Sequence, residues 1–481
     1  MNYKMVFGTV GKVVLIEAVL LLLPLVTSLI YGEWWTAISF GITVLIALGV
    51  YGLSKLLCTT KNTLIFSKEG LVTVALAWLV MSVIGCLPFV ISGDIPNFVD
   101  ALFEMVSGFT TTGASIVLDV EVLSRGTLFW RSFSHWIGGM GILVFVMAVT
   151  NKSTDRSIHI LRAEMPGPTV DKLVPRARDT AKILYLIYMV LTVVLTVLLL
   201  FGGMPLFDSL LHAFGTAGTG GFGIKNNSIA GYSNYCQWVI AIFMFIFGIN
   251  FNIFYLIILG KVKDVFKSGE LWTYLVIVLS AVAVITINIL SICADFSEAL
   301  RLSFFQVTTI ISTSGFSTAN FDLWPTLSKT VIFVLMIIGG CAGSTAGGFK
   351  VSRVVILGKS INRELKRVLH PRNSSVIKFN GKRVDETTVN GVLSYLAIYL
   401  ACVVAIFLLI SFEPFTLETN LSATLACFNN VGPGLGGVGP TCNYGGYSLF
   451  SKIVLTFAML LGRLEVYPLL LTLLPSTWIK K

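Results

Sequence analysis

Between Leu15 and Leu474 the chain returns repeatedly to apolar stretches about as long as a bilayer is thick. A helical span needs about 20 such residues, and in hydrocarbon every backbone N–H and C=O must be paired internally. The chain is therefore read as an all-α polytopic membrane protein. Composition agrees: of 481 residues, 55% are hydrophobic and 12% charged, against about 25% charged in soluble domains. That leaves no polar shell for a water-soluble core and excludes a cytosolic enzyme. The eight cysteines stand singly, none in C-x-x-C spacing, so neither a zinc site nor a disulfide framework is indicated.

Spans at 12–30 and 37–57 form an N-terminal helix pair within 1–70. The first lacks a small-residue cleavage site and is followed by further spans, so it reads as a retained helix. The remaining spans pair as 71–92 with 127–150, 181–201 with 234–260, 271–293 with 327–357, and 388–410 with 447–474. They divide the chain into four repeats, at 71–180, 181–270, 271–387 and 388–481.

Basic residues orient the chain. Segments 58–70, 151–182, 261–270 and 358–387 hold 20 Lys or Arg, whereas the alternate loops hold 3. The positive-inside rule makes the first set, and both termini, cytoplasmic. Topology thus explains most of the net charge of +10, and nucleic acid is not an expected partner. The outward loops carry Asp94, Asp100, Asp119, Glu121, Asp208, Asp295, Glu298, Asp322, Glu413 and Glu418. Together they predict an acidic vestibule that concentrates cations; singly they are ordinary solvated loop residues.

Each repeat also holds a short amphipathic segment between its spans: 101–109, 209–217, 303–311 and 420–428. Nine residues extend only about 14 Å as a helix, too short to cross a bilayer. The following stretches are TTTGAS, GTGGFG, STSGFS and NNVGPG, which align without gaps and place Gly113, Gly221, Gly315 and Gly432 in one column. Four copies of helix, half-helix, extended loop and helix predict pseudo-symmetric helix–pore-loop–helix repeats around one ion pore. Non-helical backbone survives at membrane depth only when buried in protein or lining a water-filled cavity. Glycine permits backbone conformations other residues resist, and four inward-facing strands can replace a cation's hydration shell with carbonyl oxygens. The competing reading, close helix packing on small residues, suits one copy better than four in register.

These segments resemble the Trk/Ktr/HKT superfamily of cation transporters, over almost the whole chain from about 71 to 474. The extra pair at 12–57 resembles that of the Trk-type bacterial potassium uptake subunit. The resemblance implies a potassium filter built from Thr111, Thr112 and Gly113; Thr219, Gly220 and Gly221; Thr313, Ser314 and Gly315; and Asn430, Val431 and Gly432. The ion would sit at Thr112, Gly113, Gly220, Gly221, Ser314, Gly315, Val431 and Gly432. Glycine in all four repeats is the family's potassium-selecting pattern, whereas serine in the first accompanies sodium preference in some plant relatives. Neither GTGGFG nor NNVGPG copies potassium-channel TVGYG, which implies looser selectivity. A homodimer with one pore per protomer, a cytosolic ring of nucleotide-binding regulatory subunits and the bacterial inner membrane are implied in the same way. No bound cofactor is expected, potassium being the transported substrate.

The second span of repeat three carries GGCAGSTAGGFK at 339–350. Its glycines, Gly339, Gly340, Gly343, Gly347 and Gly348, each weaken a helix by about 1 kcal/mol relative to alanine. Polar Ser344 and Thr345 need partners or water at that depth. The segment resembles the family's intramembrane loop, a movable gate under the filter; a kinked, closely packed helix is the alternative. It is no phosphate loop, because Gly-Lys-Ser/Thr is missing and bilayer spans flank it. Arg463 resembles the arginine that the family places beside the pore, where its charge opposes cation passage. Pairing with Glu465 or snorkelling would also accommodate it, although two residues apart do not share a helix face. Lys350 and Arg353 are expected as interfacial anchors. The four histidines are too dispersed for a metal site, and His212 is expected to satisfy local hydrogen bonds.

The sequence thus predicts a gated cation pore rather than an enzyme, and the resemblance implies that the pore takes up potassium. A sodium-conducting or proton-coupled member of the same superfamily is the alternative. An inverted-repeat symporter conflicts with four filters on one side, and a membrane enzyme would need a midplane cluster of His, Asp, Glu or Cys that is missing.

Overall fold

A computed structural model describes residues 1–58, 67–141, 177–370, 376–380 and 382–478. Most of the basic segment 151–182, and the first repeat's second span beyond 141, lie outside the described residues. The N-terminal pair comprises α1 (Tyr3–Leu20), continued by α2 (Leu22–Ile30), and α3 (Trp34–Leu57). Val10, Val13 and Phe40 bury its inner face.

Repeat one follows as α4 (Ser67–Ser92), α5 (Phe98–Phe109) and α6 (Arg125–Gly139). Repeat two is α7 (Ala177–Phe201), α8 (Leu206–Gly218), α9 (Asn234–Phe247) and α10 (Phe251–Ile258), with a short α11 (Val262–Phe266) leading out. Repeat three is α12 (Gly269–Ile289), α13 (Phe296–Ile311), α14 (Thr326–Ile337) and α15 (Val351–Leu369). Repeat four is α16 (Glu386–Ile410), α17 (Leu417–Phe428), α18 (Leu449–Arg463) and α19 (Tyr467–Leu473). Between α15 and α16 two short antiparallel strands pair Lys378 with Arg383 and Phe379 with Lys382.

Among the described residues six helices are long and apolar enough to cross a membrane, or up to seven if the bent pair α9–α10 counts as one. Their outward faces carry Leu45, Val276, Ile287 and Leu408, each more than 60% exposed. Apolar exposure on that scale marks a lipid-facing surface. The interior is aromatic: the Phe109 ring meets Trp130 edge-to-face at 5.8 Å, and Phe133 stacks on Trp136 at 5.7 Å.

The four short helices are 12, 13, 16 and 12 residues long. Each ends within one residue of the sequence expectation but begins three to seven residues earlier. The added first turns each carry an acidic residue, and three of the four are capped by a side chain. Asn97 accepts from the amides of Val99 and Asp100, Asp295 from Glu298, and Thr416 from Thr419. Such residues satisfy orphan amides at a helix start, yet they break an apolar pattern and so hide from it.

The second span departs further from expectation. A break is expected only in repeat three, but the second spans of repeats two and four are interrupted as well, and the described part of that in repeat one ends short. In repeat one α6 stops at Gly139, and Gly141 has a φ of +81°. In repeat two α9 and α10 meet at 92°. In repeat three residues 338–350 separate α14 from α15. In repeat four Glu465 and Val466 take positive φ between α18 and α19, with Pro468 just beyond. A hydropathy window averages across such breaks, although the glycines and the proline are visible letter by letter.

Candidate ion pathway

The four short helices end alike. The amides of Thr112, Gly220, Ser314 and Val431 donate to carbonyls five residues back, those of Ser107, Gly215, Thr309 and Ala426, at 2.8–2.9 Å. This is the Schellman closure, which requires a left-handed residue just past the helix end. Thr111, Thr219, Thr313 and Asn430 supply it, with φ of 56°, 55°, 59° and 56°. Asparagine tolerates that region; β-branched threonine is an outlier there and strains the backbone. Two residues on, Gly113, Gly221, Gly315 and Gly432 also take positive φ, from 77° to 93°. One backbone path is thus drawn four times.

The four paths close into a ring. A Cβ built on Gly113 would lie 2.1 Å from the Gly220 carbonyl oxygen, and one on Gly221 1.8 Å from that of Ser314. One on Gly315 would lie 2.4 Å from that of Val431, and one on Gly432 2.5 Å from that of Thr112. Each repeat's glycine therefore makes room for the next repeat's carbonyl, in the order one, two, three, four and back to one. All four glycines line one cavity of about 190 Å³. The helix carbonyl ends behind them carry about half a negative charge each. An array of carbonyls and negative dipole ends is chemistry suited to a dehydrated cation.

Hydroxyls hold the ring from behind: Thr110 with Thr112 at 2.7 Å and Ser312 with Ser314 at 2.9 Å. Asn430 Nδ2 donates to Thr112 Oγ1 at 3.0 Å, closing the seam between repeats four and one.

The expected acidic vestibule does not form at this cavity. None of the ten carboxylates expected to face outward lines it; most are engaged in the scaffold. Asp94 accepts from Ser124 and Thr127, Asp100 pairs with Lys452 at 2.7 Å, and Asp208 accepts from Tyr232. Asp322 accepts from the Gly436 amide, and its partial burial holds its carboxyl above the usual range.

On the side of the ring away from that cavity, residues 339–350 fold back under it. A parallel bridge between Ile338 and Phe349 closes the neck, with Gly339 N donating to Phe349 O at 3.0 Å. The Gly340 carbonyl accepts from Val351 N at 3.2 Å. Contacts from repeats two and three hold the loop. Cys341 N donates to Gly248 O, Phe251 N to Gly343 O, and Thr345 Oγ1 to Phe247 O. Ala342 N donates to Glu270 Oε1 at 2.7 Å, and Gly347 N to Thr313 Oγ1 at 2.7 Å. The last bond ties the loop directly to the third strand of the ring. Gly343, Ser344, Gly347 and Gly348 line a small cavity of about 30 Å³ with Lys350, Arg463 and Glu465.

Arg463 joins ring, loop and broken helix. It donates to Thr111 Oγ1 at 3.2 Å, Thr345 O at 3.0 Å, Gly138 O at 2.5 Å and Gly139 O at 2.7 Å. Glu465 pairs instead with Arg353, at 2.5 Å.

Three expectations need correction. Lys350 and Arg353 are not interfacial anchors: both are buried, Lys350 donating to the Ala346 and Gly347 carbonyls and Arg353 held by Glu465. Each ends its stem on a loop or helix group, so burial costs less than for a bare charge. His212 has neither ring nitrogen hydrogen-bonded and lies edge-on to Tyr232 and Phe316.

Sequence reasoning also missed Glu104, Arg131, His135 and Glu270, all buried beside the pathway. Charged residues within apolar stretches were the available signal.

A family model described as TrkH, cation transport protein, matches residues 37–480. The chain is 34% identical over 488 residues to the Trk system potassium uptake protein TrkH of Salmonella typhimurium, covering 99% of this chain and all of that one. It is 32% identical over 484 residues to Trk system potassium uptake protein TrkG of Escherichia coli, covering 99% of each. The crystal structure of the potassium transporter TrkH from Vibrio parahaemolyticus superposes with a TM-score of 0.89 at 30% identity, over the full length of both chains. A family match over nearly the whole length, repeated in backbone and sequence, leads to one conclusion: the chain belongs to the TrkH family of cation transport proteins.

Proposed function

We propose that this protein takes up potassium across the bacterial inner membrane through one gated pore per protomer. The observation that carries the reading is the closed ring in which Gly113, Gly221, Gly315 and Gly432 each accommodate the next repeat's carbonyl. Each repeat contributes a quarter: 71–180, 181–270, 271–387 and 388–481, with 1–70 as a supporting helix pair. Dehydrated potassium binds between the carbonyls of Thr112, Gly220, Ser314 and Val431 and the level of the four glycines. It then passes when the 339–350 loop leaves its seat against Thr313 and Arg463. An inward-negative potential supplies about 2.3 kcal/mol per charge per 100 mV, so no second ion is required.

The surplus of basic residues in alternate loops supports cytoplasmic termini. Family likeness supports a homodimer and a cytosolic nucleotide-binding ring seated on the basic segments at 151–182 and 358–387.

The deciding experiment is ion flux in liposomes under defined gradients. Potassium entry driven by membrane potential alone, and exceeding sodium entry, is the expected result. Flux that requires a proton gradient, or equal sodium and potassium rates, would overturn the reading. The gate assignment has its own test. Removing three residues from 344–346 should raise basal potassium flux several-fold, because two anchoring bonds go with them. Reduced flux in a folded protein would make the loop purely structural.

A further inference from the structure

A buried ion pair stands behind the ring. Glu104, midway along α5, and Arg131, on α6, have side chains 0% and 2% exposed. Arg131 grips one carboxylate oxygen twice, through Nε at 2.8 Å and Nη2 at 2.6 Å. The same carboxylate accepts from Ile116 N at 3.0 Å and from Ser115 Oγ at 3.0 Å, both just past Gly113. The guanidinium lies 4.2 Å from the Phe222 ring centroid, just past Gly221.

One helical turn along, on the same face of α6, His135 repeats the connection. Its Nδ1 lies 2.7 Å from Gly108 O, at the end of α5, and its Nε2 accepts from Phe222 N at 3.3 Å. A carbonyl on one nitrogen and an amide on the other define a neutral imidazole with Nδ1 protonated. The ring also packs against Phe222 at 4.3 Å.

We propose that Glu104, Arg131 and His135 form a brace that sets ion discrimination by fixing the separation of the first two strands of the ring. The proposal rests on the filter reading given above. Three arguments support it. A buried ion pair adds little stability over apolar residues of similar volume, so its distinctive contribution is directional geometry. Arg131's planar fork supplies that geometry. At the seam between repeats four and one the polar links are of a different kind. Lys452–Asp100 joins repeats four and one near the start of α5, 13 residues before Gly113, and the Asn430–Thr112 bond at ring level is uncharged.

The experiment measures the potassium-to-sodium permeability ratio of the full-length protein in liposomes, from reversal potentials. It compares the parent with Glu104→Gln, Glu104→Asp and the control Gly113→Ser. Glu104→Gln keeps the shape but halves the acceptors, whereas Glu104→Asp keeps the charge and shortens its reach by one methylene. Displacing a positioning group by about 1 Å can cost a hundredfold in a preorganised site, so a fall of about three- to tenfold is expected for each. Elution as a folded species with the parental melting profile separates loss of discrimination from loss of fold. Ratios within twofold of the parent in both Glu104 variants, with Gly113→Ser lowering the ratio, would overturn the brace and leave the filter standing. An unchanged ratio in Gly113→Ser would remove the filter assignment and the brace with it. Failure of both Glu104 variants to fold would assign the pair to folding alone and equally overturn the proposal.

Discussion

Gly113→Ser should lower the potassium-to-sodium permeability ratio by about tenfold or more, equivalent to about 1.4 kcal/mol of lost discrimination. Two costs act together. Gly113 has a φ of +78°, where an L-residue is less stable by about 1–2 kcal/mol. Its new Cβ would also fall 2.1 Å from the Gly220 carbonyl oxygen, and overpacking of that kind typically costs about 1–3 kcal/mol. The least costly relief is displacement of that oxygen, one of those proposed to face the ion. Potassium conduction should persist, because three quarters of the ring remain. Bi-ionic reversal potentials in liposomes provide the measurement. A ratio equal to the parent's would remove Gly113 from the conduction path.

Arg463→Gln should act on conductance instead, raising basal potassium flux by about tenfold. A unit charge about 8 Å from a passing cation repels it by about 2 kcal/mol at an effective dielectric constant of 20. The substitution removes that barrier. It also loosens the loop, since Arg463 bonds Thr345 O as well as Thr111 Oγ1. The permeability ratio should change far less than conductance, because the glycine column is untouched. Flux per reconstituted protein under a fixed potential is the measurement. Unchanged or diminished flux in a folded variant would show that the guanidinium only staples the broken helices at Gly138 and Gly139.

What could be read in advance follows from how each feature is encoded. The glycine column was legible because its backbone conformation leaves glycine little competition. The carbonyl ends of the short helices were legible because the apolar pattern stops where the Schellman closure begins. The first turns of three of them were not, since Asn97, Asp295 and Thr416 resemble loop residues until their capping bonds are seen. The left-handed Thr111, Thr219 and Thr313 gave no signal, because threonine is an improbable choice for that conformation. The brace was illegible for another reason: Glu104 and Arg131 lie 27 residues apart, and only packing shows that each completes the other. The outward carboxylates were misread collectively because composition records charge but not the amides already claiming it.

The single-chain ring has an evolutionary consequence. In an assembly of four identical subunits, one codon change rewrites every wall of the conduit at once. Here each wall has its own codons, as Thr112, Gly220, Ser314 and Val431 already differ in side chain while presenting the same main-chain oxygen. On the proposed filter reading, ion preference can therefore drift in quarter steps, and a lineage can trial one altered wall while the others keep the cell supplied.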